Sequence, residues 1–290
     1  MVEPIETSIA LTESYDLSET LYSGQAFRWE PFEDEDQTVW HEGIVNSARV
    51  QLRQDGNKLF FNPRLNISSK DIRVLESYLR IADNMSEIYR SMPIDAYLDQ
   101  AVKQFPGLHI LRQDPWECLI TFICSANNNI PRIRQLVSRM CIAAGKRVDD
   151  DWGHFFAFPT ASELSLLGEQ NLRKLGLGFR AKYVAKAAMM ENEGEIGISE
   201  LRGRRYEEVL KTLIRIPGVG DKVANCVMLF SLDCLNAFPV DVWVRRVLRE
   251  SYLDQNTKLP DSKIRVWAQE YFGEYAGYVN QYLFHKRRLD

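Results

Sequence analysis

The chain has 290 residues, 45% hydrophobic and 26% charged, which excludes a disordered, fibrous or low-complexity protein and leaves room for one large domain or two to three smaller ones. No apolar run approaches the roughly 18 residues of a membrane-spanning helix, the acidic first six residues lack a secretory-signal pattern, and five cysteines without CxxC spacing argue against a disulfide framework, a zinc ribbon and a four-cysteine iron–sulfur cluster. The net charge of −4 speaks against a nucleic-acid partner until its distribution is read: residues 1–70 carry 12 acids and 6 bases, the remainder 28 and 30.

In chain order, alternation predicts short strands near residues 27–30, 40–45, 50–52 and 59–61. The turn signals at 34–37 and 55–58 suit antiparallel hairpins. From Ser69 the period becomes helical, with Ile72, Leu75, Leu79 and Ile81 on one face. Beyond Phe105 almost only helices are expected, over 115–127, 130–144, 161–175, 179–191, 205–215, 221–232, 241–252 and 262–287. Thr160 and Glu163 form a capping box for one of them, and Gly176 and Gly178 punctuate its end. The reading is α+β: a small antiparallel sheet domain over residues 1–105, with flanking helices, then a mainly helical core over 106–290. Basic clusters occur at 202–205, 245–246 and 285–288; such clusters are ordinary solvated faces unless a site is built around them.

The most informative segment is a helix, then Ile216-Pro217-Gly218-Val219-Gly220, then a second helix from about Asp221. Two glycines around one apolar residue make a tight hairpin with close backbone access. The free N–H groups of Gly218, Val219 and Gly220, with the positive end of the next helix, suit a phosphate. The spacing is that of a helix–hairpin–helix DNA-backbone motif over about 205–232, although an ordinary αα-hairpin also accounts for it. Lys222 in the first turn of a helix is electrostatically disfavoured, and the same positive potential favours the neutral, nucleophilic amine. Cys226 is one turn further on the same face. Downstream, Asp241 follows Pro239-Val240 at a helix start, where it is either a plain cap or a carboxylate held rigid by backbone N–H groups.

These residues resemble the helix–hairpin–helix DNA glycosylase superfamily, and the lysine resembles that of its bifunctional glycosylase/lyase members. Three further segments are similar to the 8-oxoguanine DNA glycosylases: residues 23–29 (Ser-Gly-Gln-Ala-Phe-Arg-Trp), 122–133 (Phe-Ile-Cys-Ser-Ala-Asn-Asn-Asn-Ile-Pro-Arg-Ile) and 172–183 (Leu-Arg-Lys-Leu-Gly-Leu-Gly-Phe-Arg-Ala-Lys-Tyr). The similarity runs in order from near residue 20 to Phe284.

The resemblance implies that Lys222 attacks C1′ of the damaged nucleotide and forms a Schiff base, with strand cleavage 3′ to the abasic site by β-elimination. It implies that Asp241 stabilises the developing sugar cation and assists proton transfers. The base must be flipped out first. The Gly24 carbonyl would accept the N7–H that 8-oxoguanine has and guanine lacks, while Cys226 and Phe284 sandwich the base; on residue type alone both are core side chains. Asn127 would fill the vacated space, Phe179 would wedge the duplex, and Arg132 and Arg180 would read the orphaned cytosine. On residue type alone the two arginines are equally phosphate contacts or solvated charges.

The chain departs from the family's better-known eukaryotic members at three positions. Phe179 stands for Tyr. Asn280 stands for a Gln that contacts the base's pairing edge, with Gln281 as a substitute. Trp243 stands for a His at a DNA phosphate. The resemblance implies no required cofactor, with a monovalent cation accommodated at the carbonyls of Ile214, Ile216 and Val219. The implied partner is double-stranded DNA containing 8-oxoguanine, with no membrane and no obligate protein partner, for a monomer acting inside the cell. Two other readings share part of the pattern: a glycosylase for alkylated bases, which works without a lysine nucleophile, and a non-enzymatic helix–hairpin–helix module, which needs the glycines alone.

Overall fold

The computed structural model describes residues 7–62, 65, 68–253 and 259–290. The first six residues, from which the lack of a secretory pattern is read, lie outside them. A five-stranded antiparallel sheet comes first, with β1 (Ser8–Ala10), β2 (Trp29–Glu33), β3 (Val39–Val45), β4 (Ala48–Asp55) and β5 (Lys58–Phe61) in the order β1-β5-β4-β3-β2. Its hairpins follow from turn chemistry. Asp34 Oδ1 accepts the backbone N–H groups of Asp36 and Thr38, and Gly56 at φ 55° makes the tight connection between β4 and β5. Trp29 pairs with Gly43 across the sheet, and a Cβ on Gly43 would lie 2.5 Å from the indole, so the ring needs that empty position.

The helices are α1 (Leu17–Tyr22), α2 (Ser69–Leu79), α3 (Met85–Ser91), α4 (Ala96–Gln104), α5 (Pro115–Cys124), α6 (Ile130–Ala144), α7 (Ala161–Leu172), α8 (Ala181–Asn192), α9 (Tyr206–Ile214), α10 (Asp221–Ser231), α11 (Val242–Ser251), α12 (Asp261–Phe272) and α13 (Ala276–Leu289). Among the described residues none is long and apolar enough to cross a membrane. Two apolar cores result. Leu17, Leu21, Trp29, Leu52, Leu59, Phe61, Leu75 and Leu79 pack the sheet against α1 and α2. The larger core is helical and includes residues of α3 and α4, such as Met85, Ile88 and Leu98.

The structure corrects four local expectations. Strand β1 and helix α1 precede the first expected strand; α1 is started by Asp16, whose carboxylate accepts the Glu19 N–H at 2.8 Å. The helical part also contains a hairpin, β6 (Arg147–Asp150) with β7 (Gly153–Phe156), turned at Gly153, φ 108°. The helix expected over 161–175 ends at Leu172. A π-helical stretch, Arg173–Leu177, carries the chain round, with Gly176 at φ 97°. The long helix expected over 262–287 is two, because Gly273 at φ 76° ends α12 before α13 begins.

The two cores are clamped by charge. Asp233 accepts hydrogen bonds from Arg80, at the end of α2, and from Arg112 at 2.7 Å. Beside it, residues 107–113 run between the cores. His109 there lies tilted against Tyr15, with ring centroids 4.2 Å apart, and its Nδ1 is 2.8 Å from the Gly107 carbonyl. Burial pushes the imidazole down to about 4, although the Gly107 bond opposes the shift. The folded state therefore takes up this proton near pH 4, whereas the unfolded state takes it up near the ordinary value of about 6.5. The unfolded chain binds more protons across that window, so stability is full above it and falls as pH drops through it. Between pH 7 and about 4.5, wild type should lose roughly 2–3 kcal/mol more than His109→Gln, read from urea midpoints of the two proteins.

Candidate active site

Helices α9 and α10 enclose the hairpin expected from the sequence. Ile216 and Val219 are buried and anchor it from below, and the Val219 N–H donates to the Ile216 carbonyl at 3.0 Å. Gly218 has φ 86°, and a Cβ there would sit 2.4 Å from Tyr183 Cγ, so the tyrosine of α8 packs directly under the turn. Gly220 faces open space and serves as the N-cap of α10 without a side chain, so the first N–H groups of that helix stay accessible. Asp221 ties the helix start to α12 through Arg265 at 3.0 Å.

Lys222 extends from this fixed start. Its Nζ donates to Ser125 Oγ at 3.1 Å and lies 5.3 Å from the centre of the Phe122 ring. Cys226 stands one turn along; burial pushes its thiol up to about 11, with the Lys222 charge opposing, so it is a neutral, apolar wall at physiological pH. Asp241 caps α11 by accepting the Val244 N–H at 2.8 Å. Burial raises its carboxyl above the usual range, and the cap bond and the Lys222 charge oppose that. A rigid, partly desolvated carboxyl that senses a lysine is suited to holding an anion or moving a proton.

Helix α13 packs beside this group. Asn280 Nδ2 donates to the Pro239 carbonyl at 2.9 Å, two residues before Asp241, and Gln281 Nε2 donates to the Ser23 carbonyl at 3.1 Å. Both amides therefore brace backbone beside the site. Phe284 is partly buried and reaches the Gly24 loop: a Cβ on Gly24 would lie 3.1 Å from Phe284 Cε1. Gly24 itself has φ 86°, a conformation that keeps glycine there. Gln25 fixes it from behind. Its side chain is fully buried, donates to the carbonyls of Thr20 and His109 at 2.8 Å, and accepts from the Leu111 N–H at 2.8 Å.

A second group lies at the protein surface. Asn127 is exposed at φ 47°, and Arg180 donates to the carbonyls of Ala126 and Asn127, the latter at 2.7 Å. Arg132 donates to the Gly176 carbonyl at 3.2 Å. Phe179 is 45% exposed with the Arg180 guanidinium 4.5 Å from its ring, and Trp243 is 41% exposed with Arg246 stacked on it. Large rings left at the surface beside cations are suited to a polyanionic, aromatic ligand.

The structure thus brings together Lys222, Cys226 and Asp241, connects them through Asn280 to α13, and sets Phe284 against Gly24. Asn127, Arg132, Phe179 and Arg180 form a separate cluster. Sequence reasoning missed Ser125, Gln25 and Tyr183. Each lies inside an otherwise recognised segment, as a polar or aromatic residue to which the resemblance gives no role. Among the described residues, no group of His, Cys, Asp and Glu could hold a metal ion. The five cysteines are free thiols.

Residues 8–119 match the family described as 8-oxoguanine DNA glycosylase, N-terminal domain, and residues 120–268 match the HhH-GPD superfamily of base excision DNA repair proteins. The N-glycosylase/DNA lyase OGG1 of Arabidopsis thaliana is 31% identical over 280 residues, covering 91% of this chain and 75% of the relative. Two solved structures share the fold closely. MBOgg1 in complex with a low-affinity DNA ligand has a TM-score of 0.89 at 32% identity, over 98% of this chain and 96% of its own. The 8-oxoguanine glycosylase/lyase of Clostridium acetobutylicum, bound to double-stranded DNA with cytosine opposite 8-oxoguanine, has a TM-score of 0.87 at 30% identity, over 99% of both chains. The chain belongs to the 8-oxoguanine DNA glycosylase branch of the HhH-GPD superfamily, whose members are DNA N-glycosylases with an accompanying DNA-lyase activity.

The two hairpin glycines should respond differently to alanine. Gly218→Ala adds a Cβ against Tyr183 at positive φ and should destabilise the protein by about 1–3 kcal/mol. Gly220→Ala meets nothing within 4 Å. Its stability should stay within about 0.5 kcal/mol of wild type, while its affinity for duplex DNA falls because the methyl group shields the N–H groups. Urea denaturation and fluorescence anisotropy separate the two effects.

Proposed function

We propose that this enzyme flips 8-oxoguanine out of duplex DNA, prefers it opposite cytosine, excises it, and cleaves the strand 3′ to the abasic site through a Schiff base on Lys222. The observation that carries the reading is the Lys222 amine on Ser125, with the Cys226 thiol and the partly buried Asp241 carboxyl both sensing its charge, while α13, which braces the backbone before Asp241 through Asn280, sets Phe284 against Gly24. Lys222 attacks C1′ as the base leaves with the bonding electrons. Asp241 holds the developing positive charge and moves protons to and from the amine. The Gly24 carbonyl accepts the N7–H of the lesion. That single contact discriminates by a few kcal/mol at most.

Cys226 and Phe284 take the faces of the base, and Asn280 reaches its pairing edge once it exchanges the Pro239 carbonyl for the ligand; Gln281 holds the Gly24 loop. Asn127 and Phe179 occupy the gap in the duplex, and Arg132 and Arg180 turn from loop carbonyls to the acceptors of cytosine. The backbone of Gly218, Val219 and Gly220 takes a phosphate, and Trp243 packs on the DNA backbone without charge. The carbonyls of Ile214, Ile216 and Val219 suit a monovalent cation. The Ile216 oxygen keeps one lone pair after accepting the Val219 N–H. The division into residues 1–105 and 106–290, and a monomer working inside the cell, belong to the same proposal. The packing of Met85, Ile88 and Leu98 into the helical core means that α3 and α4 of the first part serve the second.

Borohydride trapping on a duplex with one 8-oxoguanine opposite cytosine tests this reading. Wild type should give a covalent adduct and Lys222→Gln none. Base release without an adduct would favour a glycosylase lacking the lysine nucleophile. DNA binding with neither would leave a non-enzymatic module.

A further inference from the structure

The amine of Lys222 is held by Ser125, which lies in the 122–133 segment but has no role implied by the resemblance. Its Nζ donates to Ser125 Oγ at 3.1 Å, and the serine proton is already committed, because that hydroxyl donates to the Phe122 carbonyl at 2.7 Å. Toward the lysine, Ser125 therefore offers only lone pairs and acts as an acceptor. Ser125 is also the C-cap of α5, so the amine stands at the carbonyl end of one ten-residue helix and at the N–H end of another. These two ends act on its charge in opposite senses. The other groups facing it are the Phe122 ring from α5, the Cys226 thiol from α10, and the Asp241 carboxyl at the start of α11.

We propose that Ser125 is a positioning residue for Lys222: by accepting its N–H, it aims the amine into the pocket and sets the pH at which the nucleophile forms. The inference rests on Lys222 being the nucleophile. An amine loses a proton before it attacks carbon. A neighbour that can only accept stabilises the charged form over the neutral one. Ser125 thus keeps the lysine aimed, and releases it when the amine turns to C1′. Removing it has two consequences of different kind. The neutral amine becomes available at lower pH, and its aim is lost.

The test is single-turnover borohydride trapping on duplex DNA carrying 8-oxoguanine, as a function of pH, for wild type, Ser125→Ala, Ser125→Cys and Ser125→Thr. Loss of one hydrogen bond to a charged group should move the acid-limb midpoint of Ser125→Ala down by about 0.5–1 pH unit. Its plateau rate should fall roughly tenfold, the size expected when a reacting group loses its orientation. Ser125→Cys keeps the volume with a weaker acceptor and should move the midpoint in the same direction. Ser125→Thr, which keeps the hydroxyl, should restore the wild-type midpoint.

An unchanged midpoint in both Ser125→Ala and Ser125→Cys overturns the proposal, whether or not the rate falls, since a packing role alone lowers rate without moving the pH profile. Absence of a wild-type adduct at every pH is a different failure, and overturns the assignment of Lys222 as well.

Discussion

Gly24 lies between two anchored neighbours, and the candidate pocket depends on that anchoring. The Ser23 carbonyl accepts from Gln281 of α13, and the buried Gln25 side chain is bonded to Thr20, His109 and Leu111. The positive φ of Gly24 turns the backbone between them. A single carbonyl distinguishes two bases by one proton only if it cannot move away when the proton is missing, because the discrimination lies in the cost of an unmade bond. The joint that supplies this rigidity brings together residues near both ends of the chain. Glu19 on α1 pairs with His285 on α13, and Arg288 donates to the Tyr22 carbonyl at 2.9 Å. The sheet domain, through α1, therefore helps to hold the Gly24 loop in place.

The reacting end is organised by a different constraint. Lys222 starts at the N-terminus of α10 because the Gly218–Gly220 hairpin leads directly into that helix. The positive potential there disfavours an ammonium. The fold offsets this with the carbonyl end of α5, the Ser125 oxygen, and the Asp241 carboxyl held by its own helix cap.

Much of this was legible in the sequence because it is local. The hairpin glycines, the capping box at Thr160, the strand alternation and the Pro239-Val240-Asp241 turn each follow from a few adjacent residues. What was missed depends on contacts far apart in sequence. Tyr183 beneath Gly218, Ser125 beneath Lys222 and Gln281 on Ser23 are set by the packing of helices that no periodicity relates. Element ends failed for a third reason. Gly176 and Gly273 were visible as glycines, but only their left-handed backbone shows that one makes a π-helical turn and the other splits the last helix. The hairpin at 147–156 carries too few apolar positions to interrupt a run of helical segments.

On the proposed function, the base is read at a loop braced by α13, apart from the lysine that attacks the sugar. Gln281→Leu preserves size and removes the brace. Its excision of 8-oxoguanine should be compared under single turnover with its cleavage of a preformed abasic site, which needs no base pocket. Excision should fall by about tenfold or more, the loss of roughly one well-placed hydrogen bond, with abasic-site cleavage unchanged. Equal loss of both activities, or loss of neither, would contradict this reading.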